Sequence, residues 1–443
     1  MSVLGSSFWE AAEPALSLDA DLVAVAREAW QESWREREEY EERAALNQVR
    51  VAVALSRSGL DESGLAGSWG YGYGDRGRES LERAWSEAFS TEAALVRPQI
   101  ATGTQALALC LQALLRPGDE VLTWPGAPYD TMQGVLGNLV EWGIGARAVS
   151  VEPEGDAGQW VDALAASLEP RTRVVLVQRS RGYSLRRALR VGEIGQAVEV
   201  VRTGSRRAVV LVDNCYGEFV EEAEPGAVGA DLCAGSLIKN PGGGLAPTGG
   251  YIAGRADLVA QVAARLYAPG QGGEVGPTGS WLRMAAQGLF LAPHAVGQAL
   301  GTAVFAAHFF ARLGMQVVPA PGEERGDIVQ SVVLGTPARL RSFCRGLQQA
   351  GPVDARARPE PWEMPGYRDR VIMAGGTFVP GASLELGADA PLRPPYAAYL
   401  QGGTVTAHGV LGCLLAAARL RKDHPDGSDR PERSRRQPPE GTA

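Results

Sequence analysis

Apolar residues recur at helical spacing among dense charges over residues 20–58, and this pattern predicts a helical arm with a solvated outer face. Residues 59–78 are rich in glycine and predict a loop. A further helix is predicted over residues 79–89, where apolar positions again follow a helical period.

The pattern then alternates between helices and short, continuous apolar segments. Strands are predicted at 93–101, 120–124, 173–178 and 208–213, with shorter ones within 230–240 and 249–254. A helix is predicted over 102–115, ending at an Arg-Pro-Gly-Asp turn. Strands that are apolar throughout and separated by helices indicate a mostly parallel central sheet covered by helices on both faces. The predicted fold class is therefore α/β.

The predicted secondary structure changes twice in the second half of the chain. Residues 255–315 are mostly helical in pattern, and from 316 short strands mix with helices up to a last helix at 409–420. We therefore predict a smaller C-terminal α+β domain, followed by a polar tail that has the composition of a disordered segment. The predicted division is an N-terminal helical arm (1–65), a large domain (66–310), the small domain (311–420) and the tail (421–443).

Composition narrows the possible functions. The 443 residues are 45% hydrophobic and carry a net charge of -8, which argues against a protein that binds nucleic acid or an anionic membrane. Of the 43 basic residues only two are lysines, Lys239 and Lys422, and Lys422 lies in the predicted tail. Neither lysine follows a Gly-x-x-x-x-Gly run, so a P-loop is excluded. The folded part of the chain thus retains a single lysine.

Cysteine and histidine usage indicates a cytoplasmic protein. The five cysteines are widely spaced and contain no Cys-x-x-Cys pair, as in a chain with reduced thiols. The four histidines are scattered, so no metal site is expected. No signal peptide is recognised at the N-terminus, and the longest apolar stretches fall short of a bilayer span.

Two glycine-containing motifs could bind phosphate. Residues 72–77 match Gly-x-Gly-x-x-Gly, but no strand precedes them, so the context of a dinucleotide site is missing. Residues 102–105, Thr-Gly-Thr-Gln, lie between a predicted strand and a predicted helix. Free backbone N–H groups and the helix dipole would bind an anion there. An ordinary threonine helix cap explains the same residues equally well.

The surviving lysine gives the sharpest chemical signal. Lys239 follows a short apolar strand and precedes a Pro/Gly turn, a position where partial burial is expected to lower its pKa and make it a nucleophile. A surface lysine is the usual alternative, but a chain that otherwise prefers arginine makes it the weaker explanation. Arginine cannot form a Schiff base, so only catalysis readily explains the exception. Asp213 ends an apolar strand, where ligands bind in open α/β sheets, although a loop cap would look the same.

Together these residues match the requirements of pyridoxal 5'-phosphate (PLP). That cofactor needs a lysine to hold its aldehyde, a carboxylate at its pyridinium nitrogen and a helix N-terminus for its phosphate. Lys239, Asp213 and the turn at Gly103–Gln105 supply these groups, and Tyr129 supplies an aromatic ring to stack on the cofactor. We therefore predict a PLP enzyme.

At this point the chain resembles a known family. The stretches GYGYGDRGRESLE, PGAPYDT, VDNCYGEFVEE, SLIKNPGGGLAPTGGY and GTFVPGASLELGAD are similar to the aluminium-resistance, or methionine gamma-lyase-like, family. Its members are fold type I PLP enzymes related to cystathionine beta-lyase. The resemblance covers about residues 45–412, so the large domain is expected to bind PLP.

The resemblance implies roles for individual positions. Lys239 would hold the cofactor, Asp213 would pair with its ring nitrogen and Tyr129 would stack on the ring. The phosphate would be held by Ser236, Gly103 and Thr104, with Gln105 in the same turn. In related lyases a tyrosine-containing loop reaches the cofactor phosphate of the neighbouring subunit. Tyr71 and Tyr73 are similar in position, which implies that they bind the cofactor in a homodimer or homotetramer with shared active sites.

Arginines are the candidates for binding the substrate carboxylate, because a planar guanidinium suits two-point binding. The resemblance favours Arg393, and Arg181 is the rival. The chain departs from the family where Ser-Gly-Thr-His is replaced by Thr102–Gln105, and where Tyr-Asp-Asp is replaced by Tyr73-Gly74-Asp75. The second departure concerns the predicted inter-subunit loop.

The predicted activity is a carbon–sulfur lyase that eliminates a thiol from a sulfur-containing amino acid, leaving a keto acid and ammonia. Two alternatives remain, because a fold does not fix a reaction. One is an aldolase or aminotransferase on the same fold. The other is a PLP-binding protein without turnover that serves metal tolerance.

Overall fold

Three helices open the chain in the computed structural model, which describes residues 4–152, 155–205 and 207–425. They are α1 (Ser6–Ala15), α2 (Ala20–Glu32) and α3 (Trp34–Arg57). The helix predicted over 20–58 is thus confirmed with a break at Ser33, whose hydroxyl donates to the Trp30 carbonyl at 3.1 Å. One face of α2 is buried against the C-terminal part of the chain, so this segment is not solvated on all sides.

The central sheet has seven strands in the order β1-β7-β6-β5-β4-β2-β3. The strands are β1 (Ala93–Arg97), β2 (Glu120–Trp124), β3 (Gly145–Ala148), β4 (Thr172–Gln178), β5 (Val209–Asp213), β6 (Leu232–Ser236) and β7 (Gly250–Gly254). All neighbouring pairs are parallel except those that involve β7, which runs antiparallel to both β1 and β6. The predicted mostly parallel sheet is confirmed.

Helices cover both faces of this sheet. They are α4 (Arg76–Ala88), α5 (Gly103–Leu114), α6 (Asp130–Glu141), α7 (Ala157–Ser167), α8 (Val191–Gly204), α9 (Ala256–Leu266) and α10 (Trp281–Arg312). Alternate residues of a strand enter different cores: Val175 and Val177 pack on one side, Val174 and Leu176 on the other. Two-sided burial is the reason that these strands are apolar throughout.

Helix α10 is the long core helix of the molecule. It is the one helix among the described residues that is long and apolar enough to cross a membrane, but 78% of its most apolar stretch is buried inside the protein. It packs along α3, and the ring of His308 lies 2.6 Å from a Glu36 carboxylate oxygen. The helix therefore ties the N-terminal helices to the rest of the fold.

A second, antiparallel sheet of five strands follows, in the order β10-β11-β12-β9-β8. The strands are β8 (Gln316–Val318), β9 (Gln330–Val333), β10 (Val371–Ala374), β11 (Gly387–Pro391) and β12 (Ala397–Gln401). Helices α11 (Pro337–Gln348) and α12 (Thr406–Asp423) pack against this sheet. This is the predicted smaller α+β part. The last helix runs to Asp423, three residues into the segment predicted as tail, and 426–443 lie outside the described residues.

Short 3-10 turns occur at Gly64–Ala66, Pro225–Val228, Asn240–Gly242 and Gly272–Glu274. The turn after β6 matters most for the site, because it fixes the chain directly after Lys239. Gly242 allows this, since a Cβ there would lie 1.7 Å from the Leu237 carbonyl oxygen. Gly243 has a φ of +59° and approaches the backbone of α10, so neither position accepts a larger residue.

Candidate active site

A cavity of about 420 Å³ lies at the carboxyl ends of β4, β5 and β6. Ligands bind at this edge in open α/β sheets. The small antiparallel sheet closes the cavity from the opposite side through one residue of β11. The cavity is lined by Thr102, Gly103, Thr104, Tyr129, Thr131, Gln178, Ser180, Gly182, Tyr183, Asp213, Cys215, Tyr216, Ser236, Ile238, Lys239, Tyr367 and Asp389.

Lys239 places its amine inside this cavity. The chain turns directly after β6, with the Lys239 N–H donating to the Ser236 carbonyl at 3.3 Å. The Nζ atom lies 3.9 Å from the centroid of the Tyr216 ring. Tyr216 adopts a φ of +71°, a left-handed conformation that costs a non-glycine residue about 1–3 kcal/mol. The fold therefore accepts local strain where this ring meets the lysine.

The pKa of Lys239 differs from the sequence prediction. Burial acts to lower it, but the acidic groups of Cys215, Tyr216 and Asp213 around the amine oppose burial, and the net pKa lies well above the ordinary lysine value. The predicted lowering is therefore wrong for this cavity. The physical reason is that burial and an excess of acidic groups occur together, and the charges favour the ammonium form.

Asp213 ends β5 with its carboxylate buried in the same cavity. Its Oδ1 accepts a hydrogen bond from the Cys215 backbone N–H at 3.2 Å. Within the described residues no salt bridge reaches this carboxylate. Burial raises the pKa of Asp213, while the charge of Lys239 acts against the rise. A buried carboxylate of this kind gains most from a cationic N–H group brought to it.

The Thr-Gly-Thr-Gln turn lies at the N-terminus of α5. Thr102 caps the helix, because its hydroxyl accepts from the Gln105 N–H at 3.0 Å. Gly103 lies so close to the ends of β5 and β6 that a Cβ would come 3.0 Å from the Cys215 sulfur and 3.5 Å from the Ser236 Cβ. The turn is thus a helix cap and also a wall of the cavity, with N–H groups that suit a phosphate.

Gln105 is the one member of the predicted turn that does not line the cavity. Its side chain accepts from the Ala101 N–H at 2.7 Å and donates to the Gln99 carbonyl at 3.4 Å. It therefore stabilises the loop that leads into α5 and lies away from the lysine.

Tyr129 lies immediately before α6, with its ring in the cavity wall. Its hydroxyl is 3.3 Å from the Thr104 hydroxyl, and its N–H donates to the Gln178 side chain at 2.9 Å. Burial raises the pKa of Tyr129 well above the ordinary value, so the phenol stays protonated. Its position fits both a stacking ring and a proton donor.

Tyr71 and Tyr73 lie away from the cavity on the loop before α4. Their side chains are 75% and 62% exposed, and their ring centroids are 6.0 Å apart. The loop itself is firmly held, because the Asp75 carboxylate accepts from the Thr278 hydroxyl at 2.6 Å and from the Arg78 N–H at 2.9 Å. A rigid loop thus presents two exposed aromatic rings.

The two candidate arginines line a second cavity of about 290 Å³ that adjoins the first. Arg181 is buried and pairs with Asp327 at 3.5 Å. Arg393 is 35% exposed and pairs with Asp369 at 2.8 Å and, more loosely, with Asp130 at 3.8 Å. The cavities share the residues Tyr129, Gln178, Gly182 and Tyr183. Neither arginine lies in the wall of the lysine cavity itself.

Sequence reasoning did not assign five titratable residues that line the lysine cavity. They are Cys215, Tyr216, Tyr183, Tyr367 and Asp389. The first two lie two and three residues after Asp213, so proximity to the strand end was an available signal. Tyr367 and Asp389 come from the C-terminal part of the chain and reach the cavity only because that part packs there. Tyr183 lies in the loop after β4 and donates a hydrogen bond to Asp389.

A buried acid lies close behind the lysine. Glu218 is fully buried and accepts from the Tyr251 hydroxyl at 3.0 Å, while its Oε2 has no hydrogen-bond partner among the described residues. Burial raises its pKa to about 8, with repulsion from Glu224 adding to the rise. The folded protein therefore keeps a proton here that an unfolded chain loses near the ordinary pKa of 4.5.

We expect Glu218→Gln to remove a pH dependence of stability. Because the folded pKa is raised, the wild-type free energy of unfolding falls as pH rises from about 4.5 to about 8. Glutamine stays neutral at every pH. The free energy of unfolding of the variant is therefore expected to rise relative to that of wild type by on the order of a few kcal/mol across this pH window. Urea unfolding at pH 5.5 and pH 8.5 measures the difference. Exposed Glu199 serves as the control, and an equal change in Glu199→Gln would contradict the assignment.

These residues fit PLP by their chemistry: an amine and a buried carboxylate share a cavity with a helix N-terminus whose glycine admits no side chain. Fold and site together define the class, a fold type I PLP-dependent enzyme. The sequence matches the methionine gamma-lyase family over residues 22–421. The chain belongs to this family, and the predicted resemblance is confirmed.

Known proteins agree with this placement. The uncharacterized protein YnbB of Bacillus subtilis (strain 168) is 43% identical over 402 residues, covering 89% of this chain and 92% of YnbB. The structure of a carbon-sulfur lyase involved in aluminum resistance from Clostridium novyi NT matches with a TM-score of 0.86 and 39% identity, covering 92% of this chain and 97% of that one. The structure of the PLP-dependent protein YhfS from Escherichia coli matches with a TM-score of 0.55 and 19% identity, covering 84% of this chain and 94% of that one. At this identity the likeness shows a shared fold alone.

Proposed function

We propose that this protein is a PLP-dependent lyase that eliminates a thiol from a sulfur-containing amino acid, leaving a keto acid and ammonia. The observation that carries the proposal is the placement of Lys239 and Asp213 in one cavity of a chain from the methionine gamma-lyase family. When bound, PLP supplies an electron sink for the pair of electrons left on the substrate α-carbon.

Lys239 is the group that moves the α-proton. Its amine is the one amine of a lysine side chain in the described cavity, and it reaches the same space as Tyr129 and Asp213. Once neutral, it accepts a proton from the substrate α-carbon as a general base. Asp213 stays ionised opposite a cationic N–H and stabilises the charge that develops there.

Tyr129 is suited to protonate the departing sulfur. Its phenol keeps its proton because burial raises its pKa, and its hydroxyl is fixed near the Thr104 hydroxyl. Breaking the carbon–sulfur bond leaves both electrons on sulfur, and a proton from Tyr129 turns the thiolate into a neutral thiol. Water then releases the nitrogen as ammonia and the carbon skeleton as a keto acid.

Product balance tests the proposal. PLP-loaded protein is incubated with cystathionine, cysteine, methionine and allo-threonine, and thiol, keto acid and ammonia are measured. The lyase releases the three products in equal amounts from a sulfur-containing substrate. Glycine plus an aldehyde from allo-threonine would identify an aldolase, and keto acid without ammonia an aminotransferase. A PLP-bound protein that processes no amino acid would be the non-catalytic alternative.

Arg393 is proposed to bind the substrate α-carboxylate, as the resemblance implies. Its guanidinium is partly exposed in the adjoining cavity and contacts the Tyr183 carbonyl at 3.4 Å, so it lies beside a residue of the lysine cavity. Arg181 is the weaker candidate, because its guanidinium is buried and already binds Asp327 and, at 2.8 Å, the Val318 carbonyl, which leaves only Nη2 without a partner among the described residues.

We expect Arg393→Ala to raise KM about 10- to 100-fold with a smaller change in kcat, because it removes a charge-assisted contact made by the bound substrate. Arg368→Ala is the matched control, since Arg368 lines the same cavity and its side chain is exposed. Steady-state kinetics on the best substrate measures both variants. A rise in KM in Arg368→Ala with none in Arg393→Ala would contradict the proposal that Arg393 binds the substrate α-carboxylate.

A homodimer or homotetramer with shared active sites is proposed as the working form. The exposed rings of Trp69, Tyr71 and Tyr73 support this, because a rigid loop with several exposed aromatic residues is typical of an interface. A cytoplasmic location is proposed with it, since all five cysteines are free and buried.

A further inference from the structure

Asp389 brings a second carboxylate to the cavity, from the opposite side to Asp213. It lies on β11, and its Oδ2 accepts a hydrogen bond from the Tyr183 hydroxyl at 3.0 Å. Asp213 and Asp389 are the two acids among the described residues that line this cavity. Within the same described ranges no arginine or lysine forms a salt bridge with Asp389.

Aromatic rings surround this carboxylate. Tyr183 lies between Tyr367 and Tyr399, with centroid separations of 6.0 Å and 5.4 Å. Tyr183 and Tyr367 both line the cavity. The face of a phenol ring attracts a cation through its quadrupole, most strongly where water is excluded. Burial also raises the pKa of Tyr183 well above its ordinary value, so these rings add no competing charge.

In the proposed chemistry, the other charged groups of the cavity have roles of their own, and Asp389 has no basic partner. Asp213 would pair with the ring nitrogen of the cofactor, and Lys239 would take the α-proton. Burial raises the pKa of Asp389, and the charge of Lys239 and hydrogen bonds from Tyr183 and Gln401 oppose the rise. A buried acid without a basic partner is costly to ionise, and a cation placed beside it recovers that cost.

We propose that Asp389, Tyr183 and Tyr367 form a subsite for a positively charged group on the substrate side chain. This inference rests on the proposed lyase function and names its substrate class: amino acids whose thioether side chain ends in an ammonium group. A side chain that ends in a carboxylate would be repelled by Asp389, and a neutral one would leave the carboxylate without a partner.

Three cysteine thioethers of matched length test the subsite on the holoenzyme. S-(2-aminoethyl)cysteine ends in an ammonium, S-propylcysteine in a methyl and S-(2-carboxyethyl)cysteine in a carboxylate. We expect kcat/KM to be about 10- to 100-fold higher for the first than for the other two, the range of a charge-assisted contact. In Asp389→Asn, kcat/KM for the aminoethyl substrate divided by kcat/KM for the propyl substrate is expected to fall to within about threefold of one.

Two further variants keep the test decisive. Tyr183→Phe retains the ring but removes the hydrogen bond to Asp389, and we expect it to reduce the ammonium preference several-fold. Asp257→Asn removes an exposed carboxylate of α9 outside the cavity and is expected to keep the full preference. Equal rates on the aminoethyl and propyl substrates in wild type, or an unchanged preference in Asp389→Asn, would overturn the subsite.

A binding measurement separates this inference from the lyase proposal. Calorimetric titration of the holoenzyme compares lysine with 2-aminoheptanoate, which has the same chain length and no side-chain charge. Lysine is expected to bind at least about tenfold more tightly, and Asp389→Asn to remove the difference. If no thioether releases a thiol but lysine keeps this advantage, the lyase proposal fails and the cation subsite stands. If thiols are released and lysine has no advantage, the subsite fails alone.

Discussion

Lys239→Ala is expected to lower kcat by at least about 10³-fold for every substrate, because it removes the one group placed to take the α-proton. The same variant is expected to lose the visible absorption that a lysine-bound cofactor gives to the protein. Alanine leaves the turn itself intact, since Lys239 takes part in its hydrogen bonds through backbone atoms. Turnover assays and an absorption spectrum of the purified variant measure the two effects.

Lys422→Ala is the matched control, since the chain contains no other lysine. Lys422 lies in the last turn of α12 and is expected to be replaceable without change in activity or colour. A Lys239→Ala protein that keeps its absorption and more than about a tenth of wild-type kcat would contradict the assignment of Lys239.

Asp213→Asn is expected to lower kcat by about 10²- to 10³-fold, comparable to the loss of one preorganised electrostatic contact at an enzyme centre. Asparagine retains the shape and can still accept the hydrogen bond from the Cys215 N–H. The lost quantity is therefore the negative charge opposite the ring nitrogen. Steady-state kinetics at saturating cofactor measures kcat without interference from weaker cofactor binding.

Asp213→Glu and Asp257→Asn complete this test. Glutamate restores the charge at a shifted position and is expected to recover part of the lost rate. The exposed Asp257 reports on the general effect of removing one carboxylate. Equal activity of wild type and Asp213→Asn would show that the carboxylate serves only the hydrogen bond to Cys215.

The large domain could be predicted well from sequence because two-sided burial makes its strands apolar throughout. β2, β4 and β5 all appear within a residue of their predicted ends. β3 (Gly145–Ala148) could not be recognised, because it has only four residues, includes an arginine and has no fully buried position. The antiparallel direction of β7 could not be predicted either, since both faces of a central strand are buried whichever way the strand runs.

Some residues of the candidate site could likewise be predicted from the sequence and others could not, for physical reasons. Lys239 and Asp213 could be assigned because each lies at or shortly after the end of a strand and carries chemistry that other residue types lack. Asp389 and Tyr367 could not, because they are brought to the cavity by packing of the antiparallel sheet, which no local pattern encodes. The pKa of Lys239 was mispredicted for a related reason: the acidic groups around it come from several segments.

The most direct test of the account is to locate the amine that holds the cofactor. Borohydride reduction of PLP-loaded protein fixes the cofactor to that amine, and mass spectrometry of a digest then identifies the modified peptide. The two lysines lie far apart in the sequence, so their peptides are unambiguous. The account predicts one pyridoxyl phosphate group per chain, on Lys239. Modification of Lys422 alone, or no modification of a protein that still releases thiol from its substrate, would contradict it.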